Sequence, residues 1–102
     1  MIKAIEIIIN NGMANEKNYL ISYTNKVCYL NEKKHEVSDD FLNNIKNIIL
    51  YWKKEYGTSN IIDAEEFTIS VYSKDGVDTF HSKGVYPDNY GLLKEMLGEL
   101  NG

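Results

Sequence analysis

The chain has 102 residues, 43% hydrophobic and 25% charged, which suits one globular domain and is too short for two. Net charge is −4 and all eleven basic residues are lysine, so the bidentate guanidinium contacts that read guanine and grip phosphate are missing. That argues against nucleic acid as a partner, although a composition rich in Lys, Asn and Ile is also what an AT-rich genome produces. Cys28 is the sole cysteine, which excludes an intramolecular disulfide and a cysteine-built zinc site.

The N-terminal stretch MIKAIEIII has no long apolar region followed by a small-residue cleavage site. Its longest aliphatic run, Ile7-Ile8-Ile9, falls far short of the ~20 residues that span a bilayer. The expectation is a cytoplasmic protein without a membrane partner. Residues 2–9 read as a first strand with Ile5, Ile7 and Ile9 on one face and Ile2, Glu6 and Ile8 on the other. Apolar residues on both faces predict a central position in a sheet. Asn10-Asn11-Gly12 breaks the strand.

Tyr19 to Thr24 and Val27 to Leu30 read as a hairpin about Asn25-Lys26, with Tyr23 opposite Cys28 and Ile21 opposite Leu30. Residues 31–36, NEKKHE, read as a polar loop. Ser38 then caps a helix whose first turn carries Asp39 and Asp40, with Val37 and Leu42 placed as a hydrophobic staple. Phe41, Ile45, Ile48, Ile49, Trp52 and Tyr56 recur at helical spacing, and Gly57 closes the element. Leu50 falls on the polar side of this wheel, exposed, as a candidate contact point. Lys46, Lys53 and Lys54 on the outer side read as a solvated face.

After a connection through Ile61-Ile62, Phe67, Ile69 and Val71 alternate with Thr68, Ser70 and Tyr72. Asp75-Gly76 suits a two-residue type I′ turn. That register sets Val71 against Phe80, Tyr72 against Thr79 and Ser70 against His81. Phe67, Ile69, Val71 and Phe80 then face the core, while Ser70, Tyr72, Thr79 and His81 face outward. A closing helix starts near Asp88, with Tyr90, Leu93, Met96, Leu97 and Leu100 inward and Gly98 as an early stop.

Chemistry-bearing constellations are few. Ser70 beside His81 offers a nucleophile and a base, but the expected neighbours Thr68, Tyr72, Thr79 and Lys83 include no carboxylate to orient the histidine. Asp63, Glu65 and Glu66 form an acidic patch, yet adjacent strand residues point to opposite faces, so Glu65 and Glu66 cannot flank one bond. The patch reads as a solvated edge. His35 and His81 read as surface histidines without metal-ligand spacing, and no glycine motif cradles phosphate. No catalytic residue, metal or cofactor is assigned. The eight tyrosines are more suggestive. Tyr23 belongs to the core, whereas Tyr29 and Tyr72 fall on the outer sheet face, where a stiff apolar ring with a hydroxyl suits an interface.

From Phe67 onward the residues Asp75-Gly76, Gly84, Tyr86-Pro87, Asn89-Tyr90, Leu93 and Leu97 resemble a segment of small uncharacterised bacterial proteins: hairpin, G-x-YP-x-N-Y and a Leu-rich helix. The resemblance covers the last third of the chain and implies no activity.

The expected fold is a single α+β domain, two-layered, with an antiparallel sheet of about five strands in the order β-β-β-α-β-β-α and both helices on one face. The expected function is non-catalytic binding of another protein, of inhibitor, immunity or anti-defence type. The surface for it is Tyr29, Ser70, Tyr72, Thr79 and His81, with Leu50 apart. The alternatives are a small-ligand binder or hydrolase on the same open face, and a structural homodimer.

Overall fold

The strict alternation of Ile5, Ile7 and Ile9 with Glu6 and Ile8 makes the first strand the spine of the sheet. A computed structural model describes residues 1–11, 16–52, 55–58 and 64–101. In it β1 (Ile2–Asn10) is the fourth of seven strands, with β2 (Glu16–Ser22) on one side and β6 (Glu66–Ser73) on the other. The full order is β4-β3-β2-β1-β6-β7-β5, where β3 is Val27–Leu30, β4 Lys33–Glu36, β5 Glu55–Thr58 and β7 Gly76–Lys83. Six strands pair antiparallel; β5 joins the edge parallel to β7.

Helix α1 (Asp39–Ile49) begins as its sequence dictates. Ser38 holds extended dihedrals and its hydroxyl accepts a 3.1 Å bond from the Phe41 amide. Leu42, Ile45, Ile48 and Ile49 are buried. Helix α2 (Tyr90–Gly98) buries Tyr90, Leu93 and Leu97. Both helices share one core with Ile5, Ile7, Ile9, Tyr19, Ile21, Cys28, Phe67, Ile69 and Phe80, all from one face of the sheet. The domain is thus a two-layer α+β fold. No described helix is long and apolar enough to cross a membrane.

Four local readings change. First, α1 stops at Ile49 instead of running to Tyr56 and Gly57; the chain turns with Trp52 N–H bonded to Ile49 O at 3.0 Å. No glycine or proline forces this. Trp52 instead packs its indole between Phe67 (5.7 Å) and Tyr90 (6.4 Å) and donates Nε1–H to Asp88 O. Tertiary packing overrides propensity here. Glu55–Thr58 becomes a strand, and Lys53, Lys54, Ile61, Ile62 and Asp63 lie outside the described residues.

Second, residues 31–36 are not a loop. Asn31 (φ 48°) and Glu32 (φ 74°) form a two-residue turn with both φ positive, as a type I′ hairpin requires, and β4 returns along β3. Glutamate is an unusual occupant of that second position, which hid the turn. Third, the β2–β3 hairpin pairs Ile21 with Cys28 and Tyr19 with Leu30, two residues from the expected register. Tyr23 is drawn out of the ladder: its hydroxyl donates to Leu42 O at 2.7 Å, tying the turn to α1.

Fourth, the β6–β7 turn has Lys74-Asp75 at its centre, with Ser73 paired to Gly76. Only Gly76 among its residues has positive φ (139°), so Asp75-Gly76 is not a type I′ pair. Ser73 and Gly76 instead occupy the flanking positions that type I turns favour. A two-residue slip leaves every side chain on its expected face, because the pleat repeats every two residues.

Candidate functional site

With both helices on one side, the other side of the sheet carries no described helix. The ladder registers set its residues in rows. One row runs Lys34, Tyr29, Leu20, Glu6, Ser70, Thr79 from β4 to β7. The next runs Glu36, Val27, Ser22, Ala4, Tyr72, Val77. On the other flank lie Asn18, Ile8, Thr68 and His81, then Glu16, Asn10, Glu66 and Lys83. Leu20, Tyr29, Tyr72 and Val77 remain 40%, 36%, 41% and 52% exposed. Apolar side chains therefore concentrate in the two adjacent rows, and polar or charged ones in the other two.

Tyr29, Ser70, Tyr72, Thr79 and His81 all lie on this face, as their strand parity requires. Leu50 does not. It follows the last turn of α1 on the helix side, 60% exposed, beside a cavity of about 240 Å³ with Ile49, Val71 and Phe80 in its wall. Leu20 and Val77 also belong to the outer face, and their alternation with buried Tyr19, Ile21 and Phe80 is the signal for it in the sequence.

The outer face also carries a groove of about 670 Å³ lined by Glu6, Asn18, Leu20, Tyr29, Asn31 and Glu32. Asn31 anchors one wall: its Oδ1 accepts from Asn18 N at 2.9 Å and its own N–H donates to Asn18 O at 2.9 Å. Glu6 stands mid-strand on β1, half-buried, with Leu20 and Ser70 on either side. Among the described residues neither the Glu6 nor the Glu32 carboxylate has a hydrogen-bond or ion-pair partner.

The Ser70–His81 pair does not form. The two-residue slip sets Ser70 against Thr79 and His81 against Thr68. His81 Nε2 instead meets Glu66 Oε2 at 2.6 Å, a carboxylate the expected register kept out of reach. The result is a His–carboxylate pair, but among the described residues no hydroxyl is hydrogen-bonded to the ring, so a nucleophile is missing.

Glu65 and Glu66 do point to opposite faces. Glu65 is no solvated edge, however. On the helix side its carboxylate accepts from Tyr90 Oη at 2.6 Å and Lys94 Nζ at 3.0 Å, and its carbonyl accepts from Tyr86 Oη at 2.7 Å and Gly84 N at 3.2 Å. Gly84 reaches this contact with φ 78°, where a Cβ would be strained. Burial first, then the hydrogen bond to Glu65 and its negative charge, and last Tyr86, hold the proton on the Tyr90 phenol well above the usual range. A cavity of about 180 Å³ lies beside Glu65 and Lys94, floored by Ile9, Tyr19 and Leu97. This is a structural tie between β6 and α2.

Cys28 is fully buried and burial pushes its thiol up to about 11, so the sulfur is a small apolar filler and not a nucleophile at neutral pH. His35, expected on the surface, stands opposite Cys28 on the helix-side face, half-buried, with Nε2 unpaired. The described residues hold no group of three or more metal-ligating side chains.

The chain matches no protein-family model, no curated protein and no solved structure.

Proposed function

We propose that this protein acts by binding another protein across the sheet face opposite its two described helices. The observation that carries the reading is two pairs of exposed apolar side chains on the face opposite both helices, Tyr29 beside Leu20 on one side of β1 and Tyr72 beside Val77 on the other. Tyrosines supply large, stiff contact area at small entropic cost, and exposed apolar side chains set among polar ones suit an interaction surface. Two rows across six strands and two across four, at ~4.8 Å between strands and about 7 Å between rows, give a face of roughly 400 Å² in projection, about half of one side of a standard interface. A modest, exchangeable complex suits that size better than an obligate one. An inhibitor- or immunity-type role is the form of such binding that a small acidic domain serves.

The test is affinity capture from the source cell with wild type and three single variants, Leu20→Ala, Tyr29→Ala and Tyr72→Ala. Each side chain is exposed, so melting temperatures stay within a few degrees. A protein retained by wild type and lost by at least two variants supports the reading; equal recovery by all four removes this face from consideration. Light scattering separates the homodimer: a mass above the 11.7 kDa monomer that the same variants restore to 11.7 kDa makes the partner a second copy.

A further inference from the structure

Apart from what the outer face binds, we propose that β4 is a pairing edge for a second copy of this chain, strand against strand, on a two-fold axis at His35. The backbone fixes which groups are free there. β4 is an end strand of the sheet, and among the described residues no strand lies on its far side. In an antiparallel ladder a strand turns its N–H and C=O groups to one neighbour and then the other at alternate residues. Val37 N–H bonds Lys26 O at 3.1 Å, and Asn31 N–H bonds Asn18 O at 2.9 Å. Both set the same phase. Cys28 and Leu30 exchange bonds with His35 and Lys33, while Lys34 and Glu36 aim amide and carbonyl away from the sheet.

A bare edge is common, and lysine on it ordinarily wards off pairing. The order of charges in β4 decides otherwise. Lys33, Lys34 and Glu36 are exposed, and Lys34 and Glu36 share the outer side of the strand. An antiparallel copy that bonds to the free groups has three two-fold registers within β4. Centred on Lys34, it sets lysine against lysine; centred on Glu36, glutamate against glutamate. Centred on His35, it sets Lys34 against Glu36 of the second copy, and Glu36 against Lys34 of the second copy. Within β4 only that register joins both free residues of each strand, with four backbone bonds, and places opposite charges across both bonded pairs. The segment Lys33-Lys34-His35-Glu36 is thus complementary to itself in one register and repulsive in the other two.

Residues opposite one another across a ladder lie on one side of the sheet, so the two-fold axis stands perpendicular to it and the two outer faces continue into one. Each face of roughly 400 Å² then becomes part of a face of roughly 800 Å², one full side of a standard interface. The contact itself is small, four backbone bonds and two exposed charge pairs, so the dimer is weak and concentration-dependent.

Sedimentation velocity and nitrogen-15 amide exchange of the full chain, from about 10 μM to about 1 mM, test the proposal. The mass should climb from 11.7 kDa toward twice that value, with a dissociation constant of about 0.1 mM. The Lys34 and Glu36 amides should gain protection with concentration, whereas those of Lys33 and His35, already bonded to β3, should not change. Lys34→Glu and Glu36→Lys should each weaken association at least about tenfold, by turning two attractions into two repulsions. Mixed one to one, the two variants should recover it, since each then carries the charges that attract the other's; a misfolded variant cannot do this. A constant mass of 11.7 kDa up to about 1 mM overturns the inference. So does a dimer without concentration-dependent protection at Lys34 and Glu36, single variants that associate as wild type does, or a mixture that stays monomeric. A dimer lost in Tyr72→Ala and kept in Lys34→Glu also overturns it, and assigns the second copy to the outer face.

Discussion

Tyr90→Phe separates the energy of one hydrogen bond from the packing around it. Tyr90 is buried, stacked on Phe67 at 5.1 Å and on Tyr86 at 4.7 Å, and phenylalanine preserves both ring contacts. What is lost is the 2.6 Å bond from its hydroxyl to the Glu65 carboxylate. A hydrogen bond to a charged, partly buried acceptor contributes about 1.5–3 kcal/mol. Lys94 remains on Glu65, but that pair is 45% and 21% exposed, and such pairs contribute about 0–1 kcal/mol. Tyr90→Phe is therefore expected to destabilise by about 2 kcal/mol and Lys94→Ala by less than about 1 kcal/mol. For a domain of this size 2 kcal/mol lowers the melting temperature by about 8 °C or more. Urea unfolding at pH 7, with m unchanged, measures both variants. A Tyr90→Phe loss under about 0.5 kcal/mol, or a Lys94→Ala loss equal to it, refutes the assignment of this tie to the phenol–carboxylate bond.

Alkaline titration reads Cys28. Its folded thiol is raised to about 11 from an unfolded value near 9, so the unfolded chain releases the proton first. Stability is fully present below pH 9 and falls through pH 11, by up to about 2 kcal/mol at the top of that window. Tyr23, raised to about 12 by burial, and Tyr90, raised further, add losses that set in near pH 10. In Cys28→Ala the decline between pH 9 and 10 should shrink to the onset of the two tyrosines in urea unfolding curves; an unchanged slope assigns it elsewhere. Glu32→Gly, relieving φ 74°, is expected to raise stability by about 0.5–1 kcal/mol; a loss of stability would show that the glutamate side chain is structurally engaged.

Much of the fold is written in two-residue alternation and in one cap. Ile5, Ile7, Ile9, Phe67, Ile69 and Phe80 are buried as their parity requires, and Ser38 caps α1. Parity also places Tyr29 and Tyr72 correctly on the outer face. Register was less legible, because the pleat is indifferent to a slip of two, and only turn geometry decides it. That same slip moved His81 from Ser70 toward Glu66. The end of α1 was illegible for another reason: Trp52 leaves the helix to join Phe67 and Tyr90, partners remote in sequence. The β4 hairpin was hidden behind a glutamate where glycine is the usual signal.

The position of β1 between β2 and β6 has a kinetic consequence. Ile7 pairs with Tyr19 nearby in the chain and with Ile69 far from it. The hairpins β2–β3, β3–β4 and β6–β7 close short loops and can form on a microsecond scale. The seam between β1 and β6 must gather its two halves across most of the chain, so it pays the largest loop-closure entropy of the sheet. Folding is therefore expected to be limited by the zipping of the sheet's own middle. Mutations along that seam, Ile7→Val and Ile69→Val, should slow refolding in stopped-flow traces, whereas changes at the outer hairpins should mainly hasten unfolding.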